Sequence, residues 1–246
     1  MAGAVGGNTR VTITGGHILT NVYGGNELTN VGNKEDIFTV GKGKCTVKMS
    51  GGTLGVPRTL TQIADHPVTC YLFGAGKGDQ RVSFNKETNV KEVEIEVSGG
   101  IIYGSVFGGG EDGHVMGNVW MKIQDDAKIG TWGTSYVDGN VFGGGRGFGG
   151  DAYTAGNVGG SIDMDISGGT MLGSIYGGGR LGSVGYGLYD EGATGYGEMR
   201  DDDKNDAGDP EDYFTSTSSL GSVRGRGHVD INITGGKIGN NYEFKY

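Results

Sequence analysis

Val93-Glu94-Ile95-Glu96-Val97-Ser98-Gly99-Gly100 decides how this chain is read. Apolar residues at every second position put one set of side chains inside and the other in water, the period-two mark of a half-buried strand. The closing pair of glycines supplies a corner where positive φ is available. The same phrase returns as Val11-Thr12-Ile13-Thr14-Gly15-Gly16, Val47 to Gly52, Ile162 to Gly169 and Val229 to Gly236. A weaker copy, Val119-Trp120-Met121-Lys122-Ile123-Gln124-Asp125-Asp126, has aspartates in place of the glycines.

A second phrase follows most copies: Asn21 to Gly25, Tyr71 to Ala75, Ser105-Val106-Phe107-Gly108-Gly109, Asn140 to Gly144 and Ser174 to Gly178. In three copies the glycine pairs lie nine residues apart, Gly15 to Gly24, Gly99 to Gly108 and Gly168 to Gly177, which fixes one side length. A third, shorter phrase, Asn118-Val119 or Asn157-Val158, leads into the next strand. The tightest period, Gly99 to Asp125, is 26 residues, the length of a three-sided coil. Each unit has an apolar stripe that it cannot bury alone, so units must stack with like strands paired in parallel, roughly 4.8 Å apart.

The expected fold is therefore all-β, a right-handed parallel β-helix (solenoid) of about five to six coils, with handedness taken from the general preference of parallel crossovers. Hairpins in a sandwich or propeller would instead call for tight Asn-Gly turns between opposed strands. The chain reads as one domain over 1–246, with loop insertions at 55–70, 130–139, 146–158 and 180–228, which a solenoid tolerates at its corners. In this register Ile13, Met49, Val97, Ile123, Ile166 and Ile233 form one inward column. The outward residues Thr12, Lys48, Glu96, Lys122, Asp165 and Asn232 stack beside it, and the middle four alternate in sign, which reinforces the register.

Glycine accounts for 55 of 246 residues, far above the usual share of about 7%, while only three prolines argue against a Pro/Gly coil. Net charge is −9, so a nucleic-acid partner or an anionic membrane, either of which would want a basic stripe, is disfavoured. No apolar run reaches the roughly 20 residues of a membrane span. Met1-Ala2-Gly3 lacks the basic and apolar regions of a signal peptide. Cys45 and Cys70 read either as two buried thiols or as a bridge closed by the insertion between them.

With its Ser-Gly-Gly strands and Val-Phe-Gly-Gly-Gly corners, the chain resembles the glycine-rich β-helical repeat regions of large bacterial cell-surface and secreted proteins, the adhesin-like class common among gut Bacteroidetes. The resemblance covers nearly the whole chain apart from the insertions. It implies secretion, an extracellular or cell-surface location and binding to glycans or surface proteins; it supplies no catalytic residues. Without a signal or anchoring segment, the chain reads as an excised fragment.

For chemistry, Asp163, Asp165 and Asp230 offer the carboxylate spacing of a glycosidase, but alternation demands polar residues there in any case. His17, His66, His114 and His228 are scattered. Gly74-Ala75-Gly76-Lys77 lacks the spacing and following Ser/Thr of a phosphate loop. Asp201, Asp203, Asn205, Asp209 and Asp212 follow the spacing of a calcium loop, although Asp206 stands where that loop needs glycine. No cofactor is expected; the loop reads first as a solvated, mobile acidic segment, with calcium as the alternative, and 190–218 is expected to be the most mobile segment. The aromatic column Tyr23, Phe73, Phe107, Phe142 and Tyr176 reads in two ways. Inside it is core; outside it is a ladder for sugar rings.

The sequence thus points to a non-enzymatic extracellular scaffold or adhesin-like module without a convincing catalytic constellation. The rival readings are a carbohydrate-active β-helix enzyme of polysaccharide lyase or glycosidase type, and a phage tail-fibre shaft. Val229 to Gly236 is a full strand with no polar cap after it, so the solenoid is expected to continue or to associate end to end.

Overall fold

The computed structural model of the protein describes residues 3–32, 42–59, 70–79, 88–133, 138–147, 156–185 and 227–240. Every regular element among them is a β-strand. The strands Thr9–Ile18, Lys44–Leu54 and Glu92–Ile102 run straight through their glycine pairs. The later copies break there, into Val119–Ile123 with Lys128–Ile129, Ile162–Ile166 with Thr170–Met171, and Val229–Ile233 with Lys237–Ile238. All nine belong to one sheet in which every pairing is parallel.

Pairing follows the repeat. Ile13 opposes Met49, Met49 opposes Val97, and the column continues through Ile123, Ile166 and Ile233. Ile13 to Ile166 are buried, whereas Ile233 is 50% exposed. Thr12, Lys48, Glu96, Lys122, Asp165 and Asn232 form the neighbouring outward column. The register slips only at the glycine pairs, where Gly16, Gly52, Gly100, Gly169 and Gly236 all adopt positive φ. In the copy without glycines, Asp125 takes that conformation at φ 51°, which a short polar side chain tolerates better than most.

A second parallel sheet stacks the short strands Val22–Tyr23, Leu72–Phe73, Val106–Phe107, Val141–Phe142 and Ile175–Tyr176 in sequence order. The glycine after each aromatic is required by close approach: a methyl built on Gly108 would overlap the carbonyl of Gly143, and one on Gly74 that of Gly108. The third phrase divides: Val119 opens the strand Val119–Ile123 of the large sheet, whereas Val158 joins a small parallel stack in which Asn89–Val90 pairs with His114–Val115 and bridges run from Val115 to Val158 and from Val158 to Val184. The core lies between these stacks, and Val47, Phe73, Ile95, Ile129 and Val158 have no exposed surface.

Cys45 and Cys70 are free, buried thiols, so the bridge alternative does not hold. Burial pushes the Cys45 thiol up to about 12 and the Cys70 thiol to about 11, leaving both inert near neutrality. The insertions are described only where they join the strands. One such junction is tightly held: buried Asp138 accepts the backbone N–H groups of Thr131, Trp132 and Gly133 at 2.6, 2.7 and 2.8 Å.

Candidate functional site

The outward face of the nine-stranded sheet holds the most organised cluster of charged side chains. Alternation that sends Cys45, Val47 and Met49 into the core turns Lys44, Thr46 and Lys48 outward, and the same parity turns Glu92, Glu94, Glu96, Trp120 and Lys122 outward on the next two strands, where Lys122 is exposed and the other four are half-buried. The outward residues other than Thr46, together with Ile95, line a depression of about 410 Å³. Three lysines and three glutamates make the lining neutral, with the Trp120 indole among them.

The charges are paired across strands. Lys44 Nζ lies 2.7 Å from Glu94 Oε2, and Lys48 Nζ lies 2.8 Å from Glu96 Oε2 and 3.5 Å from Glu94 Oε1. Gln124 Nε2 donates to the other Glu96 oxygen at 3.1 Å. The Lys44 ammonium also sits 5.6 Å from the Trp120 ring centre, within cation–π range. The hydrogen bond from Lys44 holds the Glu94 carboxyl below its ordinary range, against the opposing effect of partial burial. Its bond to Glu96 holds the Lys48 ammonium above the usual lysine range. Both ions therefore stay charged across the neutral range, and the face is a fixed array of alternating donors and acceptors.

The aromatic column forms, with ring centres 5.0, 5.0, 4.7 and 4.6 Å apart from Tyr23 to Tyr176 and planes within 15°. Phe73, Phe107 and Phe142 are buried at 0, 1 and 5% exposure, with Tyr71 packed edge-on against the first two. For these three the outward sugar ladder is corrected to core, because the glycine corner turns the ring back inside. Tyr23 and Tyr176 at the two ends of the ladder keep exposed surface, 46% for Tyr176. The Tyr23 hydroxyl donates to the Glu111 carboxylate, and burial together with that carboxylate raises its pKa. Close by, buried Arg146 lies 4.8 Å over the Tyr71 ring.

Asp163 and Asp230 face each other on neighbouring strands and are exposed, and Asp165 is half-exposed beside them; Asn232 donates to Asp165 at 3.3 Å. His17 bonds the Gly55 carbonyl at 2.7 Å, and buried His114 accepts the Asn157 N–H through Nδ1 at 3.1 Å. Lys77 pairs with Glu27 at 2.7 Å. Asp201, Asp203, Asn205, Asp209, Asp212, His66 and the segment 190–218 lie outside the described residues. Among the described residues no group of three or more His, Cys, Asp or Glu side chains is close enough to hold a metal ion. No helix among them is long and apolar enough to cross a membrane.

Sequence reasoning missed two features. Trp120 stands at an outward position between inward Val119 and Met121, a parity visible in the sequence itself. The other is a set of corner caps. Asn140 Oδ1 accepts the Ser174 N–H, Asn118 the Ser161 N–H, Asn157 the Ser183 N–H and Asn30 the Asn89 N–H, all at 2.9–3.0 Å. Each cap ties one repeat to the next, and its signal is the dipeptide Asn-Val, which occurs six times. Comparison with known proteins finds no family model, no curated protein and no solved structure that matches this chain.

Proposed function

We propose that this chain is a right-handed parallel β-helix of about five to six coils that serves as a non-enzymatic, extracellular, adhesin-like scaffold. The observation that carries the reading is the parallel pairing that runs through six copies of the first strand and slips in register only at the glycine corners, accompanied by an aromatic stack and corner caps that repeat with it. These features serve rigidity. A stiff rod presenting flat sheet faces is suited to hold binding groups for glycans or surface proteins at a distance from their anchor. Exposed Val229, Ile231 and Ile233 support further stacking at that end, whether by more repeats or by another copy.

The outward carboxylates Glu94 and Glu96 are the observation that favours the rival enzyme reading, but both are engaged by lysines. Incubation of the purified chain with a polysaccharide panel, scored for new reducing ends and unsaturated products beside glycan-array binding, separates the two. Binding without cleavage is the expected result; depolymerisation would establish the carbohydrate-active alternative. Sedimentation as a trimer would instead favour a fibre shaft.

A further inference from the structure

We propose that the depression over Lys44, Lys48, Glu94, Glu96, Trp120 and Lys122 is a binding site for a neutral saccharide, one pyranose face lying on Trp120 and its hydroxyls bonded by the lysine–glutamate grid. The inference rests on reading the chain as a binding scaffold and names the ligand class of one face. Its volume of about 410 Å³ falls within the range of small-ligand sites, about 300–1,000 Å³.

The lining chooses the chemistry. Three lysines balanced by three glutamates leave no net field to attract a polyanion or a polycation. An apolar ligand would cover the ion pairs Lys44–Glu94 and Lys48–Glu96 without bonding them, at a desolvation cost. A peptide strand finds no free sheet edge here, since Glu92–Ile102 is paired on both sides. A neutral ring with one apolar face and many hydroxyls satisfies both parts: an aromatic face for its C–H side, and donors and acceptors held by neighbouring strands about 4.8 Å apart. Glu96 is placed for this by two cross-strand partners, Lys48 and Gln124, so its orientation precedes the ligand.

The chain has two tryptophans, so Trp132→Phe, with its melting checked, leaves Trp120 as the sole reporter. Titration with short neutral hexose oligosaccharides should produce a saturable change in Trp120 fluorescence and amide shifts at Lys48, Glu94 and Glu96. Trp120→Ala should weaken binding by about tenfold or more, Trp120→Phe by less, and Glu96→Gln severalfold. Uronic-acid oligomers should bind more weakly than their neutral counterparts. The site is overturned by the absence of a saturable response, by affinity unchanged in a Trp120→Ala protein that melts normally, or by tighter binding of acidic oligomers. Any of these leaves the scaffold reading standing; cleavage of the bound oligosaccharide overturns that reading and leaves the site.

Discussion

Ile162–Ile166 and Val229–Ile233 are neighbouring strands with the same pattern, paired residue for residue, yet they differ in burial. Met164 and Ile166 are 0 and 1% exposed, whereas Ile231 and Ile233 are 41 and 50% exposed. Pattern therefore specifies register, and a neighbour on each side specifies burial. Stability in such a stack should be unequal along its length, because a residue covered on both sides loses contacts above and below when it is truncated.

The largest difference is expected in the aromatic ladder. Phe107→Ala, between two stacked rings, should cost about 3–5 kcal/mol in denaturant melts. Tyr176→Ala, nearly half exposed, should cost less than half of that. Equal losses would break the comparison, since both residues occupy one column of the second sheet.

Glycine positions sharpen it next. A methyl on Gly108 meets the Gly143 carbonyl and the Val119 side chain, so Gly108→Ala should cost about 1–3 kcal/mol or more through overpacking. At Gly239 φ is +90° but nothing lies within 4 Å of the added atom, so Gly239→Ala should cost only the left-handed penalty of about 1–2 kcal/mol. Thermal melts of the two variants separate crowding from conformation. A smaller pair tests the corner caps. Asn140→Ala orphans the part-buried Ser174 N–H and should cost about 1 kcal/mol or more, whereas Ser161→Ala releases the exposed His228 N–H, already 3.3 Å away, at little cost.

The sequence carried most of the sheet because alternation over five or more residues leaves one choice of face, and all six copies of the first strand paired as their phasing predicts. It left the aromatic column open for a physical reason. Val106–Phe107 is a two-residue strand in which both residues are buried, so parity carries no information and the glycines that follow decide the side. Trp120 was legible by parity but sits in the copy least like the others. The caps were legible only as a recurring dipeptide, because their partners lie 34 residues away in the case of Asn140 and 43 in that of Asn118.

The smallest effect concerns charge, and there the two regions should respond with opposite sign. In the middle of the sheet Glu94 is paired with Lys44 and Lys48, and its folded-state pKa is depressed. Its contribution is therefore present above the unfolded carboxylate range and is lost as pH falls through the folded value. Between the last two strands Asp163 opposes Asp230 directly, a like-charge pair across strands, which disfavours the fold. Near neutral pH, Glu94→Gln should lower stability by a few tenths of a kcal/mol and Asp230→Asn should raise it by a similar amount, both shrinking in high salt. Acidification through the carboxylate range should shrink the Glu94→Gln difference, because the wild-type Glu94 carboxyl is then protonated as well. Urea melts at neutral and acid pH measure this. Destabilisation by Asp230→Asn at neutral pH would mean that the outward face of the last strand obeys a different pairing from the one its register implies.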